Sequence, residues 1–175
     1  MTLLSVLDQS PIRNGATPAD AVADTLALAE YVDQLGFHRY WLAEHHSSNG
    51  LAGAAPEIMI PQVAGRTQGI RVGSGGIMLS HYSPLKVAEA FRTIETLYPG
   101  RIDLGIGRAP GSDRVTDQAL QTGPGSLGPE HYPMQVRDML GYLGGSLPDD
   151  HPFSGLRAMP AGPTVPDVWM LGSSD

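Results

Sequence analysis

The chain has 175 residues, of which 22 are Gly and 15 are Pro, against an ordinary share of about 12% for the two together. Yet 41% of the residues are hydrophobic and no Gly-X-Y period runs through the chain, so disorder and collagen are excluded. The net charge of −7 argues against a general nucleic-acid footprint, and the lack of cysteine excludes disulfides, thiolate nucleophiles and cysteine-held zinc.

Leu3-Leu4-Ser5-Val6-Leu7, stopped by Asp8-Gln9-Ser10-Pro11, reads as a strand buried on both faces. A helix is predicted from Thr17 to Leu35. Thr17 is its N-cap, Pro18 its first residue, and Asp20 adds negative charge to the first turn. Val22, Leu26, Ala29 and Val32 form its apolar stripe, and Gly36 ends it in a left-handed conformation. Residues 39–44 give a second strand, 56–66 a helix and 70–79 a third strand. Ser83-Pro84 opens a helix with Val87, Phe91, Ile94 and Leu97 on its apolar face, and Pro99-Gly100 stops it. Residues 101–107 form a fourth strand. Gly, Pro and Ser then crowd the chain, which reads as a mobile loop or insertion over about 109–165 with a helix at Tyr132–Leu143. Val168-Trp169-Met170-Leu171 is a fifth strand.

Strands alternating with helices over short connections predict a parallel sheet with helices outside. In such folds function lies at the carboxyl ends of the strands. Those ends carry Asp8 to Ser10, Glu44-His45-His46, Gly75-Gly76 through His81, Gly107-Arg108 and Ser173-Ser174. Their convergence carries more weight than any one motif.

His45 and His46 suit a general base or hydrogen-bond donor near neutral pH. A loop-forming role and a metal site shared with His81 or Asp8 are the alternatives. Consecutive strand residues face opposite ways, so both imidazoles reach one metal only if the strand has ended. Gly73-Ser74-Gly75-Gly76 marks a bulge, tight barrel packing or the close approach of a planar ligand. Arg108 suits a surface ion pair, a phosphate or a flavin carbonyl. Ser173 and Ser174 offer hydroxyl and N–H groups to a phosphate. No metal is expected. No apolar run approaches the roughly 18 residues of a membrane helix, and no signal-peptide pattern opens the chain, so a soluble cytoplasmic protein is expected.

The segments Leu4–Pro11, Tyr40–His46, Arg71–Leu79 and Arg101–Gly111 resemble, in this order, the bacterial luciferase-like flavin monooxygenase family. The likeness covers residues 3–114, and 166–175 more loosely. Residues 115–165 match only as a variable insertion. The resemblance implies a (β/α)8 barrel of TIM type, here truncated after about strand five, since 175 residues fall short of the roughly 250 of a complete barrel.

It further implies that reduced FMN, supplied by a partner reductase, is used with O2 on a small, aldehyde-like organic substrate. His45 matches the family's active-site base or donor. Gly75-Gly76 matches a flavin-facing pair that often holds a cis non-proline peptide. Arg108 matches a flavin contact, and Ser174, beside Ser173, a phosphate contact. Asp8, Ser10 and His46 are the candidates on the substrate side. An apolar wall of Trp41, Ile77, Met78 and Leu79 would keep the reaction dry. An F420-dependent oxidoreductase and a non-catalytic flavin-binding or assembly protein are the alternatives. A homo-oligomer or a complementing chain is expected, and poor catalysis by this chain alone.

Overall fold

The computed structural model describes residues 2–109, 113–121 and 128–172. Five strands, β1 (Ser5–Asp8), β2 (Arg39–Leu42), β3 (Arg71–Met78), β4 (Ile102–Gly107) and β5 (Asp167–Met170), form one sheet in sequence order. All four neighbouring pairs are parallel. Each connection from β1 to β4 carries a helix: α1 (Pro18–Gln34), α2 (Pro56–Arg66) and α3 (Pro84–Leu97). The β4–β5 connection holds α4 (Arg114–Leu120) and α5 (Tyr132–Gly144), the latter packed on α3. This is the (β/α)8 type of fold, with five of its strands.

Local chemistry accounts for the helix boundaries. The Thr17 hydroxyl accepts the Asp20 N–H while the Asp20 carboxylate accepts the Thr17 N–H, a reciprocal cap that starts α1. Gly36, at φ 77°, takes the left-handed turn that ends it. Ser83 caps α3 through the Lys86 N–H. Asp113 accepts the N–H groups of Val115 and Thr116 to start α4, a helix that composition alone did not mark.

Alternation along the strands sorts side chains onto two faces. Tyr40, Leu42, Val72, Ile102, Leu104 and Ile106 lie in the core under the helices. The opposite face carries Leu7, Arg39, Trp41, Arg71, Asp103 and Trp169. There Asp103 is fully buried and accepts from Arg39 Nε, Arg71 Nε and Nη2, and Trp169 Nε1. Trp41 and Trp169 meet edge to face at 5.9 Å, and Arg39 stacks over Trp169.

Several expectations need correction. β1 is not buried on both faces: Leu7, on the face opposite the helices, is exposed because no layer among the described residues covers that face there, and Leu3 and Leu4 just before the strand are exposed too. The α1 stripe turns by about one residue, so Ala21 and Thr25 are buried while Val22 and Leu26 are only half-buried. Leu97, at the last turn of α3, is 60% exposed. The second strand ends at Leu42, so Glu44, His45 and His46 stand in the loop beyond it.

Candidate functional site at the carboxyl ends of the strands

The β2 end is held by main-chain bonds. Ala43 N–H donates to Asp8 O, and His45 N–H donates to Gly53 O. His45 is half-buried, and its buried Nδ1 has no hydrogen-bond partner among the described residues. An imidazole nitrogen left unpaired in a buried place is costly, and a ligand that bonds it removes the cost.

His46 is placed differently. Its Nε2 donates to Glu44 Oε1 at 2.7 Å. The same oxygen accepts the Tyr82 hydroxyl at 2.6 Å, and Glu44 Oε2 accepts the Met78 N–H at 2.9 Å. Glu44 has no exposed side-chain surface. Burial first, then the bond to Glu44, pushes the Tyr82 phenol above its ordinary range, so it remains a donor. Glu44 and Tyr82 drew no role from sequence reasoning. The carboxylate beside two imidazoles was the available signal for Glu44. Nothing local marked Tyr82, whose partner stands 38 positions away.

Asp8 and Ser10 were candidates for the substrate side. Here Asp8 Oδ2 accepts the Tyr40 hydroxyl at 2.6 Å, and Oδ1 accepts the Ser10 N–H at 2.7 Å. Ser10 Oγ accepts the Thr25 hydroxyl. Both residues are buried, and these polar atoms are taken up by protein.

The Gly75–Gly76 peptide is cis. A Cβ on Gly75 would stand 2.9 Å from Trp41 Cβ and 3.0 Å from Leu7 Cδ1; on Gly76 it would stand 2.7 Å from Gly105 O. The pair therefore lets β3 pack against its neighbours, whatever else it contacts. Gly107 differs. Among the described residues a Cβ there would meet nothing within 4 Å, and the exposed Arg108 stands next to it. Ser173 and Ser174 lie outside the described residues.

The expected apolar wall is only partly formed. Trp41 faces Gly73 and Gly75, but Ile77, Met78 and Leu79 are buried. Ile77 instead lines a cavity of about 210 Å³ with Glu57, Tyr82, Val87 and Phe91, between the sheet and helices α2 and α3. The register shift between Ser74 and Ile77 against β4 puts Ile77 on the helix side. Among the described residues, no group of three or more His, Asp or Glu is placed to hold a metal ion. The alternative metal partners are engaged elsewhere: His81 lies near Asp117 and Asp8 is bonded to Tyr40.

The orphaned His45 Nδ1 and the exposed Arg108 at the end of β4 are groups that fit the oxygen and nitrogen atoms of a planar cofactor such as a flavin. The arrangement defines an α/β barrel with its ligand end at the strand carboxyl termini. The chain belongs to the luciferase-like monooxygenase family, whose model matches residues 2–175.

Among its relatives is the Bacillus subtilis protein YwcH, 49% identical over 99% of this chain and 52% of its own length. The N-acetyl-S-alkylcysteine monooxygenase of the same bacterium is 40% identical over 99% of this chain and 52% of its own length. The crystal structure of apo-MsnO8 superposes with a TM-score of 0.87 at 43% identity, covering 99% of this chain and 50% of that one. The chain thus spans about half the length of these relatives.

Two more distant structures share the fold. The oxygenating constituent of 3,6-diketocamphane monooxygenase from a Pseudomonas putida plasmid, in complex with FMN, has a TM-score of 0.67 at 19% identity. It matches 81% of this chain and 39% of its own. An F420-dependent secondary alcohol dehydrogenase has a TM-score of 0.70 at 16% identity, over 98% of this chain and 52% of its own. No helix among the described residues is long and apolar enough to cross a membrane.

Proposed function

We propose that this chain supplies the cofactor-facing half of an FMN-dependent monooxygenase acting on a small, aldehyde-like organic substrate. The observation that carries this reading is the buried, unpaired Nδ1 of His45 at the barrel's ligand end. When bound, a reduced flavin supplies the electrons that activate O2. His45 bonds the ligand through Nδ1 and holds or releases a proton there. Arg108 contacts an oxygen of the cofactor, and Gly107 leaves the room for it. The Gly75–Gly76 peptide and Trp41 are assigned to the flat face of the flavin. Ser173 and Ser174 are assigned to the phosphate. His46, held by Glu44, shapes the substrate side, and Asp8 and Ser10 act there only through the loop they brace. The reading includes a separate reductase, a second or complementing chain, and a cytoplasmic location.

The test is a fluorescence titration with FMN and an absorbance titration with F420, for the wild-type chain, His45→Ala and Arg108→Met. FMN binding that weakens at least tenfold in each variant, at unchanged thermal melting, supports the reading. Preference for F420 points to the deazaflavin oxidoreductase. Where oxygen-dependent turnover is measurable, turnover unchanged by His45→Ala would remove His45 from the mechanism. No binding of either cofactor overturns the assignment.

A further inference from the structure

Glu44 is the most heavily engaged side chain at the ligand end. Its Oε1 is shared by Tyr82 and His46, and its Oε2 takes the amide of Met78. Three segments therefore meet on one buried carboxylate: the loop after β2, the last residue of β3, and the turn that follows β3. A carboxylate only accepts hydrogen bonds, so His46 must present Nε2 as N–H. That fixes its tautomer and ring plane, as a partner group does for an orienting histidine. His45 lies between these two residues in sequence. Its main-chain N–H is tied to Gly53 O, and among the described residues its Nδ1 has no partner to orient the ring.

We infer that Glu44 is a positioning residue: by holding His46 on one side and the Met78 amide on the other, it fixes where the His45 imidazole stands. The inference rests on the reading of His45 as the ligand-bonding group. Its physical content is independent of any cofactor, because the network is complete within this chain. The sharing of Oε1 makes it specific. Two donors on one oxygen compete, so losing the Tyr82 hydroxyl leaves that oxygen to His46 alone and strengthens the remaining bond. A residue that only filled space would transmit nothing from Tyr82 to His46.

The experiment is imidazole NMR on the uniformly labelled 175-residue chain, without cofactor. Wild-type protein should show a downfield His46 Nε2 proton and one sharp set of His45 ring signals. In Tyr82→Phe the His46 proton should move further downfield. In Glu44→Gln, which keeps one neutral acceptor oxygen for three donors, it should move upfield, and the His45 signals should shift and broaden.

If Glu44→Gln does not fold, Tyr82→Phe decides alone: an unmoved His46 proton, or a moved one with the His45 ring signals unchanged, overturns the inference. If both variants fold, unchanged His45 signals in Glu44→Gln overturn it as well. The same samples are then titrated with FMN. Absence of binding by the wild type defeats the functional reading but leaves the NMR outcome standing. Binding unchanged by Glu44→Gln, with His45 unmoved, defeats the inference alone.

Discussion

Tyr40 donates its phenolic hydrogen to Asp8 Oδ2 at 2.6 Å, within the buried side of the β1–β2 pair. Burial, then this bond and the Asp8 charge, push the Tyr40 phenol far above its ordinary range, so it stays a donor. Tyr40→Phe leaves a buried carboxylate oxygen one donor short and is expected to cost about 1–3 kcal/mol. Urea unfolding followed by circular dichroism measures it. A change in ligand affinity at unchanged stability would instead put Asp8 on the ligand.

Asp33, near the end of α1, accepts the N–H groups of Gln68, Gly69 and Ile70 at 2.7, 3.1 and 2.7 Å. Burial raises its pKa, but these bonds and the Arg101 charge outweigh it and hold the carboxyl below its ordinary value. A folded pKa below the unfolded one, about 3.9, gives stability that is full above that value. It is lost as pH falls through the folded value. Asp33→Asn should lower the melting temperature at neutral pH and flatten the acid limb of the melting curve. A parallel acid limb in the variant would contradict this.

Asp103 neutralises Arg39 and Arg71 on the inner face of the sheet, and its hydrogen bonds are the first cause of the raised Arg71 pKa. Asp103→Asn leaves two guanidinium groups short of their common counter-charge. Removing one partner of a fully buried pair costs about 3–5 kcal/mol; here Arg71 keeps Asp167 and both guanidiniums are partly exposed, so a smaller cost, about 1–3 kcal/mol, is expected. Denaturant midpoints should fall accordingly, and the Trp169 fluorescence should change, because its indole N–H loses a charged acceptor.

Two glycines of β4 should respond in opposite ways. A Cβ on Gly105 would run into the Ser74 carbonyl oxygen, whereas one on Gly107 meets nothing within 4 Å among the described residues. Gly105→Ala is expected to destabilise by about 1–3 kcal/mol or to prevent folding. Gly107→Ala should stay within about 0.5 kcal/mol of wild type. If the cofactor lies against Gly107, this variant should also lose FMN affinity while its melting temperature is kept.

Much of the frame was legible because its causes are local. Thr17 with Asp20, Ser83, and Gly36 set helix boundaries within one turn of themselves. The β1 run misled because apolar composition marks a strand without saying whether both of its faces are covered. The glycines of β3 carried two readings, tight packing and the approach of a planar ligand. Gly75 and Gly76 announce a close approach, and the packing of Trp41, Leu7 and Gly105 supplies one before any ligand does.

The site was legible as a set of strand ends and not as a set of contacts. Residue order and periodicity determined by themselves the alternation of strands and helices, their parallel arrangement and the end at which His45 and Arg108 stand. Only the tertiary structure decided which polar groups are engaged and which are open. It joined Glu44 to Tyr82 and Met78, turned Asp8 toward Tyr40, and set Asp103 against Trp169, 66 positions away. A hydrogen bond acts over about 3 Å in space and has no reach along the chain. Its partner is therefore fixed by how the strands pair and pack.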